Sequence, residues 1–181
     1  MNYVCAGKVY NENSRLIGYK IADENGQERE VPTGKLKNAI KTGQITVSNL
    51  ELTDNRLKVY KRYQLLIWED FVENEELKYK TTVKELKYKK GTQIWLGSYD
   101  YRDCKLRIID GDKSSDIDLG AEKLLSKYKY TRKRTYIPNE CGFFGAWYEY
   151  TVHVDKNTAI GFDACQLYYG YDQDNTRIIF L

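Results

Sequence analysis

Between residues 144 and 154 every second side chain is apolar or aromatic: Phe144, Ala146, Tyr148, Tyr150, Val152 and Val154. A period of two is the signature of a β-strand with one covered face; a helix would scatter these six residues around its circumference. The rest of the chain from residue 138 follows suit. Residues 165–171 and 177–181 read as strands flanking a turn at Asp172-Gln173-Asp174-Asn175, which predicts a terminal hairpin.

The first sixty residues read as a compact module. Strands are expected over 3–10 and 15–22, joined by Asn11-Glu12-Asn13-Ser14, and Asp23-Glu24-Asn25-Gly26 supplies a turn before a third strand at 27–31. A short helix is predicted over 34–42, with Thr33 as N-cap, Gly43 as the stop, and Leu36, Ala39 and Ile40 on one face. Alternating residues on either side of Thr53-Asp54-Asn55 predict further strands. In the second part, Thr82-x-x-Glu85 has the form of a capping box and predicts a helix running to Lys90, ended by Gly91. The apolar run 63–68 fits either a strand or a helix. Strands are expected at 93–101 and 105–109, and a helix around 121–128. A faint echo of Lys41-Thr42-Gly43-Gln44-Ile45 in Lys89-Lys90-Gly91-Thr92-Gln93-Ile94 has the look of ordinary helix-to-strand connections. The expected fold class is α+β: mostly antiparallel strands with two or three short helices. It is divided into a small β-rich module with one short helix at 1–60 and a larger β-rich α+β part at 61–181.

Composition removes several chemistries. The 181 residues contain a single histidine, His153, so no mechanism needing two imidazoles is available. Cys5, Cys104, Cys141 and Cys165 are widely spaced with no C-x-x-C pair, which argues against structural zinc; buried or free thiols in a reducing cytoplasm are expected. Only Cys141, in Asn139-Glu140-Cys141-Gly142, sits where a nucleophile beside His153 is conceivable, and nothing else supports that pairing. Asp110-Gly111-Asp112-Lys113-Ser114-Ser115-Asp116-Ile117-Asp118 looks calcium-like. Counted as an EF-hand, however, it has Ser115 where glycine is needed and Ala121 where a bidentate glutamate is needed. It reads instead as a solvated turn between a strand and a helix. Glu85-Leu86-Lys87 has the Glu-x-Lys form of some magnesium-dependent nucleases, but the predicted helix turns the two side chains apart. No phosphate-binding glycine loop or nucleophile elbow occurs. No membrane span and no signal peptide are expected, and neither a metal nor a cofactor.

The net charge of +3 conceals two basic segments. Residues 78–90 carry six lysines and one acid, with Lys87, Lys89 and Lys90 clustered at the end. Residues 126–137 carry five basic side chains and no acid, in Lys127-Tyr128-Lys129-Tyr130-Thr131-Arg132-Lys133-Arg134-Thr135-Tyr136. Read as a strand, Lys127, Lys129, Thr131 and Lys133 share one face, while Tyr128, Tyr130, Arg132, Arg134 and Tyr136 share the other. Arginine flanked by tyrosine grips phosphate, stacks on bases or anchors a protein hot spot. An edge strand that covers core with tyrosine and wards off pairing with charge has the same pattern. Tyr168, Tyr169 and Tyr171 either extend such a surface or pack across strands.

One stretch carries a resemblance. Residues 31–57, from Val31-Pro32-Thr33-Gly34-Lys35-Leu36 through Thr42-Gly43-Gln44-Ile45 to Asp54-Asn55-Arg56-Leu57, are similar to an N-terminal module of small accessory proteins. These are carried by phages and integrative elements of Gram-positive gut bacteria. Proteins of that setting include inhibitors of CRISPR nucleases, and the length and the lack of catalytic motifs resemble that class. The resemblance implies a non-enzymatic binding protein of a mobile element, an anti-CRISPR inhibitor of an RNA-guided nuclease such as Cas9. Its expected partner is the Cas9–guide RNA complex in the host cytoplasm. It carries over no functional residue. Many such inhibitors are acidic mimics of nucleic acid, and a basic chain departs from that pattern, so it would touch guide RNA, DNA or an acidic protein surface. The alternative expectations are an accessory protein that binds RNA or DNA without a protein target and, third, a small nuclease using Glu85 and Lys87.

Overall fold

A computed structural model describes residues 1–97, 103–135 and 146–181. Of these residues, 64% lie in strands and 10% in two helices, so the protein is mostly β rather than α+β. The chain divides into two compact units, Met1–Arg62 with Ile108–Ser115, and Tyr63–Arg107 with Asp116–Leu181.

In the first unit, β1 (Asn2–Tyr10), β2 (Leu16–Ala22) and β3 (Glu28–Pro32) form an antiparallel meander, and α1 (Thr33–Lys41) leads to β4 (Thr46–Val47), which joins β1 in parallel. The two connections of the meander are closed by side chains acting on the backbone. Asn11 Oδ1 accepts from the amides of Asn13 and Arg15, and Asp23 Oδ1 accepts from those of Asn25 and Gln27. Helix α1 begins one residue earlier than its sequence predicts. Pro32 is its N-cap, and Thr33 lies inside the helix with its hydroxyl oxygen buried and unpartnered among the described residues. Leu36 is fully buried against Tyr3, Cys5, Tyr19, Ile21, Val47 and Leu50, a burial that contributes about 2 kcal/mol. Asn49 stitches this core. Its amide donates to Cys5 O at 2.9 Å and accepts from Cys5 N at 2.7 Å, as a neighbouring strand would. The hairpin β5 (Leu50–Thr53) and β6 (Arg56–Val59) turns through Asp54 and Asn55, both at positive φ.

The second unit starts with a long hairpin, β7 (Arg62–Glu73) and β8 (Glu76–Leu86), turning through Asn74 and Glu75. The helix predicted from Thr82 is therefore strand. Thr82, Val83 and Lys84 stand opposite Ile67, Leu66 and Leu65, and this pairing of β-branched and apolar residues outweighs a capping-box tetrad. Lys90-Gly91 accordingly leaves a strand and not a helix, so the echo of the α1 segment is not a repeated unit. Next come β9 (Gln93–Trp95), β10 (Cys104–Asp110) and β11 (Lys113–Asp118), of which Ile108–Ser115 is counted with the first unit, then α2 (Ala121–Lys127), and a meander of β12 (Lys129–Thr135), β13 (Trp147–Asp155), β14 (Thr158–Leu167) and β15 (Gly170–Phe180). The sheets run β11-β10-β7-β8 and β12-β13-β14-β15-β9. The turn after β10 leads into a strand and not a helix, and the acids of that strand, Asp116 and Asp118, are engaged by cations. Arg107 donates twice to Asp116 at 2.7 and 2.8 Å, and Lys105 and Lys123 both reach Asp118.

The terminal hairpin also differs from its prediction. It turns at Tyr168 and Tyr169, and Asp172-Gln173-Asp174-Asn175 runs within β15. A register shift between Gly161 and Asp163 absorbs the irregularity that those polar residues announced. No described helix is long and apolar enough to cross a membrane.

Candidate binding surface

The basic tyrosine-rich segment enters its strand at Lys129. Lys127 is the last residue of α2, its Nζ 5.7 Å from the Tyr128 ring, and Tyr128 is the extended residue that ends the helix. From Lys129 to Arg134 the expected faces hold. Tyr130, Arg132 and Arg134 stand opposite Val152, Tyr150 and Tyr148, and Lys129, Thr131 and Lys133 stand opposite His153, Thr151 and Glu149. Tyr136 and Cys141 lie outside the described residues.

Strand β12 is the edge of the five-stranded sheet, and its residues through Arg134 are exposed whichever face they occupy. The first face grades from core to solvent. Tyr150, only 3% exposed, stacks on Phe162 at 5.2 Å. Tyr130 meets Tyr150 edge-on at 5.7 Å, Tyr171 does so at 6.3 Å, and the Arg132 guanidinium lies 5.0 Å over the Tyr148 ring. Burial pushes the Tyr150 hydroxyl above its ordinary pKa, and the neighbouring Tyr171 hydroxyl adds to this while Arg132 opposes it. Tyr150 therefore stays protonated and neutral beside the cations. Arg132 is held over the face of the Tyr148 ring, which pre-orients it without neutralising it.

On the opposite face, Glu149 is the acid nearest in register to a β12 cation, and it is already engaged. Arg177, nearly buried on β15, reaches across β14 to bond Glu149 and also lies 5.1 Å over the Trp95 ring. Gly161 makes that crossing possible. A Cβ there would stand 2.9 Å from the guanidinium carbon of Arg177, so any side chain would displace it. That engagement leaves Lys133 without an acidic partner, and Lys129 and Arg134 have none either among the described residues.

Lys87, Lys89 and Lys90 are exposed in the segment leading from β8 to β9. Since β9 is the far edge of the sheet, four strand spacings or about 19 Å separate it from β12. The two basic segments do not form one patch. Glu85 lies on β8, not on a helix, and accepts from Gln64 Nε2. Lys87 lies past the end of that strand. Among the described residues no three His, Cys, Asp or Glu side chains gather into a metal-holding group. Cys5, Cys104 and Cys165 are buried thiols, and burial pushes that of Cys5 up. His153 is exposed opposite Lys129.

Sequence reasoning missed the support behind β12. The Arg177 crossing leaves one signal, a glycine inside an otherwise apolar β-run, which marks a close approach. The chain matches no protein-family model, no curated protein and no solved structure.

Proposed function

We propose that this is a non-enzymatic binding protein of a phage or mobile element. It acts in the bacterial cytoplasm and uses β12 to occupy a polyanionic surface on an RNA-guided nuclease of the Cas9 type carrying its guide RNA. The observation that supports a binding role at this place is the state of β12: an edge strand, open on both faces, whose lysines and Arg134 lack acidic partners while Arg132 is oriented by Tyr148. Cations that merely discouraged edge pairing would not need an aromatic mount. The nuclease as target rests on the resemblance of residues 31–57. An accessory protein that binds RNA or DNA with no protein target is the second reading, favoured by the tyrosines interleaved with the cations.

Target-cleavage assays with a purified Cas9–guide complex test the first reading. The protein is expected to stop cleavage and to co-elute with the complex. The variant R132A/K133A/R134A is expected to do neither while keeping its unfolding midpoint. Undiminished cleavage with no co-elution, or full inhibition by the triple variant, would overturn it.

A further inference from the structure

The loop that joins β14 to β15 consists of Tyr168 and Tyr169, between the paired residues Leu167 and Gly170. Two-residue hairpin loops favour Gly, Asn and Asp, which supply positive φ or bond back to the backbone. Here Gly170, at φ 141, supplies the conformational freedom, and the tip itself is given to two tyrosines. Each is 94% exposed, and their rings meet each other edge-on at 4.9 Å. So little of either ring is covered that burial cannot account for their presence. Two solvent-facing aromatic rings at a hairpin tip are the mark of a contact site.

The tip belongs to the same sheet as β12. Two residues after Tyr169, Tyr171 packs on Tyr150, which in turn meets Tyr130 of β12, while Arg132 rides on Tyr148. Aromatic side chains thus run from Tyr171, two residues past the open tip, across the sheet to the cationic edge. Each end has a distinct use. Cations with no acidic partner attract phosphates, whatever the sequence of the polymer. Open ring faces accept bases, which are available for stacking only where a strand is unpaired, since a duplex keeps them inside its own stack. An acidic protein segment would satisfy β12 and leave the tyrosine tip without a role.

We propose that β12 and the tip formed by Tyr168 and Tyr169 together bind single-stranded nucleic acid, with phosphates on Arg132 and Arg134, which share the face of Tyr148 and Tyr150, and a base stacked on the tip. This rests on the reading of β12 as the contact surface. Single-stranded RNA and a displaced DNA strand share the required chemistry, an unstacked base on a phosphodiester chain.

Fluorescence anisotropy on the full chain tests the proposal with labelled oligo-U, oligo-dT and a duplex, each of about 20 nucleotides per strand, over a salt range from about 50 to 200 mM. Single strands are expected to bind at least tenfold more tightly than the duplex. A preference for oligo-U or for oligo-dT then identifies RNA or DNA as the source. Y168A/Y169A is expected to lose about tenfold in affinity with an unchanged salt slope. R132A/K133A/R134A is expected to lose affinity and slope together. Full affinity in the tyrosine variant, equal binding of the duplex, or no binding of any oligonucleotide overturns the single-strand assignment. Retained affinity and slope in the triple-cation variant overturns instead the reading of β12 on which it rests. Both variants alter exposed side chains, and an unchanged unfolding midpoint confirms that each is folded.

Discussion

Strands β8 and β12 are both lysine-rich sheet edges, and they differ in what stands beside them. On β8, Lys78 is bonded to Glu73, Lys80 stands opposite Glu69, and Glu85 accepts from Gln64. Across residues 62–86 six acids outnumber four basic side chains, so the hairpin itself is acidic, and the basic excess of 78–90 rests on Lys87, Lys89 and Lys90 beyond it. On β12 the facing residues from Tyr148 to His153 include one acid, Glu149, and Arg177 has taken it. A run of lysines thus says little about the field a partner meets. The strand paired to it decides whether that charge is already spent.

Three variants test this contrast, in decreasing order of effect. Gly161→Val strikes the support behind β12, because its side chain would meet Arg177 Cζ and Nε at 2.9 Å and Ile179 Cδ1 at 3.0 Å. A loss of about 3 kcal/mol is expected in denaturant unfolding; an unshifted midpoint would mean that Arg177 does not lie across β14. Glu149→Ala leaves the nearly buried Arg177 guanidinium without its carboxylate, at a cost of about 2 kcal/mol in the same measurement. Stability within a few tenths of the parent would show that this pair does not hold Glu149 away from Lys133. The smallest effect should come from Glu69→Gln combined with Glu73→Gln, which gives β8 the unspent cations of β12. Oligonucleotide affinity at low salt is expected to rise a few-fold, with under about 0.5 kcal/mol lost in stability because exposed pairs contribute little. An affinity that does not move would end the claim that neighbouring acids are what separates the two edges.

Much of the strand pattern was legible because it obeys local rules. The turns after β1 and β2 are closed by Asn11 and Asp23 from within the turn, so no distant residue is needed to recognise them. The alternation of Tyr148, Tyr150 and Val152 lies along the first face of a central strand. The misreadings came where distant partners decide. Thr82-x-x-Glu85 is a sound helix start in isolation and becomes a strand because β7 lies next to it. The turn at Tyr168 and Tyr169 was hidden because tyrosine is a poor turn residue. The faces of β12 were readable from alternation, whereas the unspent charge of Lys133 was not, since that follows from Arg177 on β15 reaching over Gly161 to Glu149 on β13.

The order of strands in the five-stranded sheet also sets a timetable for the nascent chain. Strands β12 to β15 pair with their immediate successors and can form as they emerge, but β9 waits. Its partners Arg177, Ile178 and Ile179 are synthesised more than eighty residues later. Until then the edge at Ile94 has no neighbour, and the Gly91 amide and Thr92 carbonyl lack the Phe180 groups they finally meet. The docking of β9 is therefore a long-range event, of the slow kind that sequence separation imposes. It makes residues 170–180 a checkpoint: a chain that stalls before them has β12 to β14 paired and its β9 strand still bare, an exposed edge of the sort that quality-control machinery recognises.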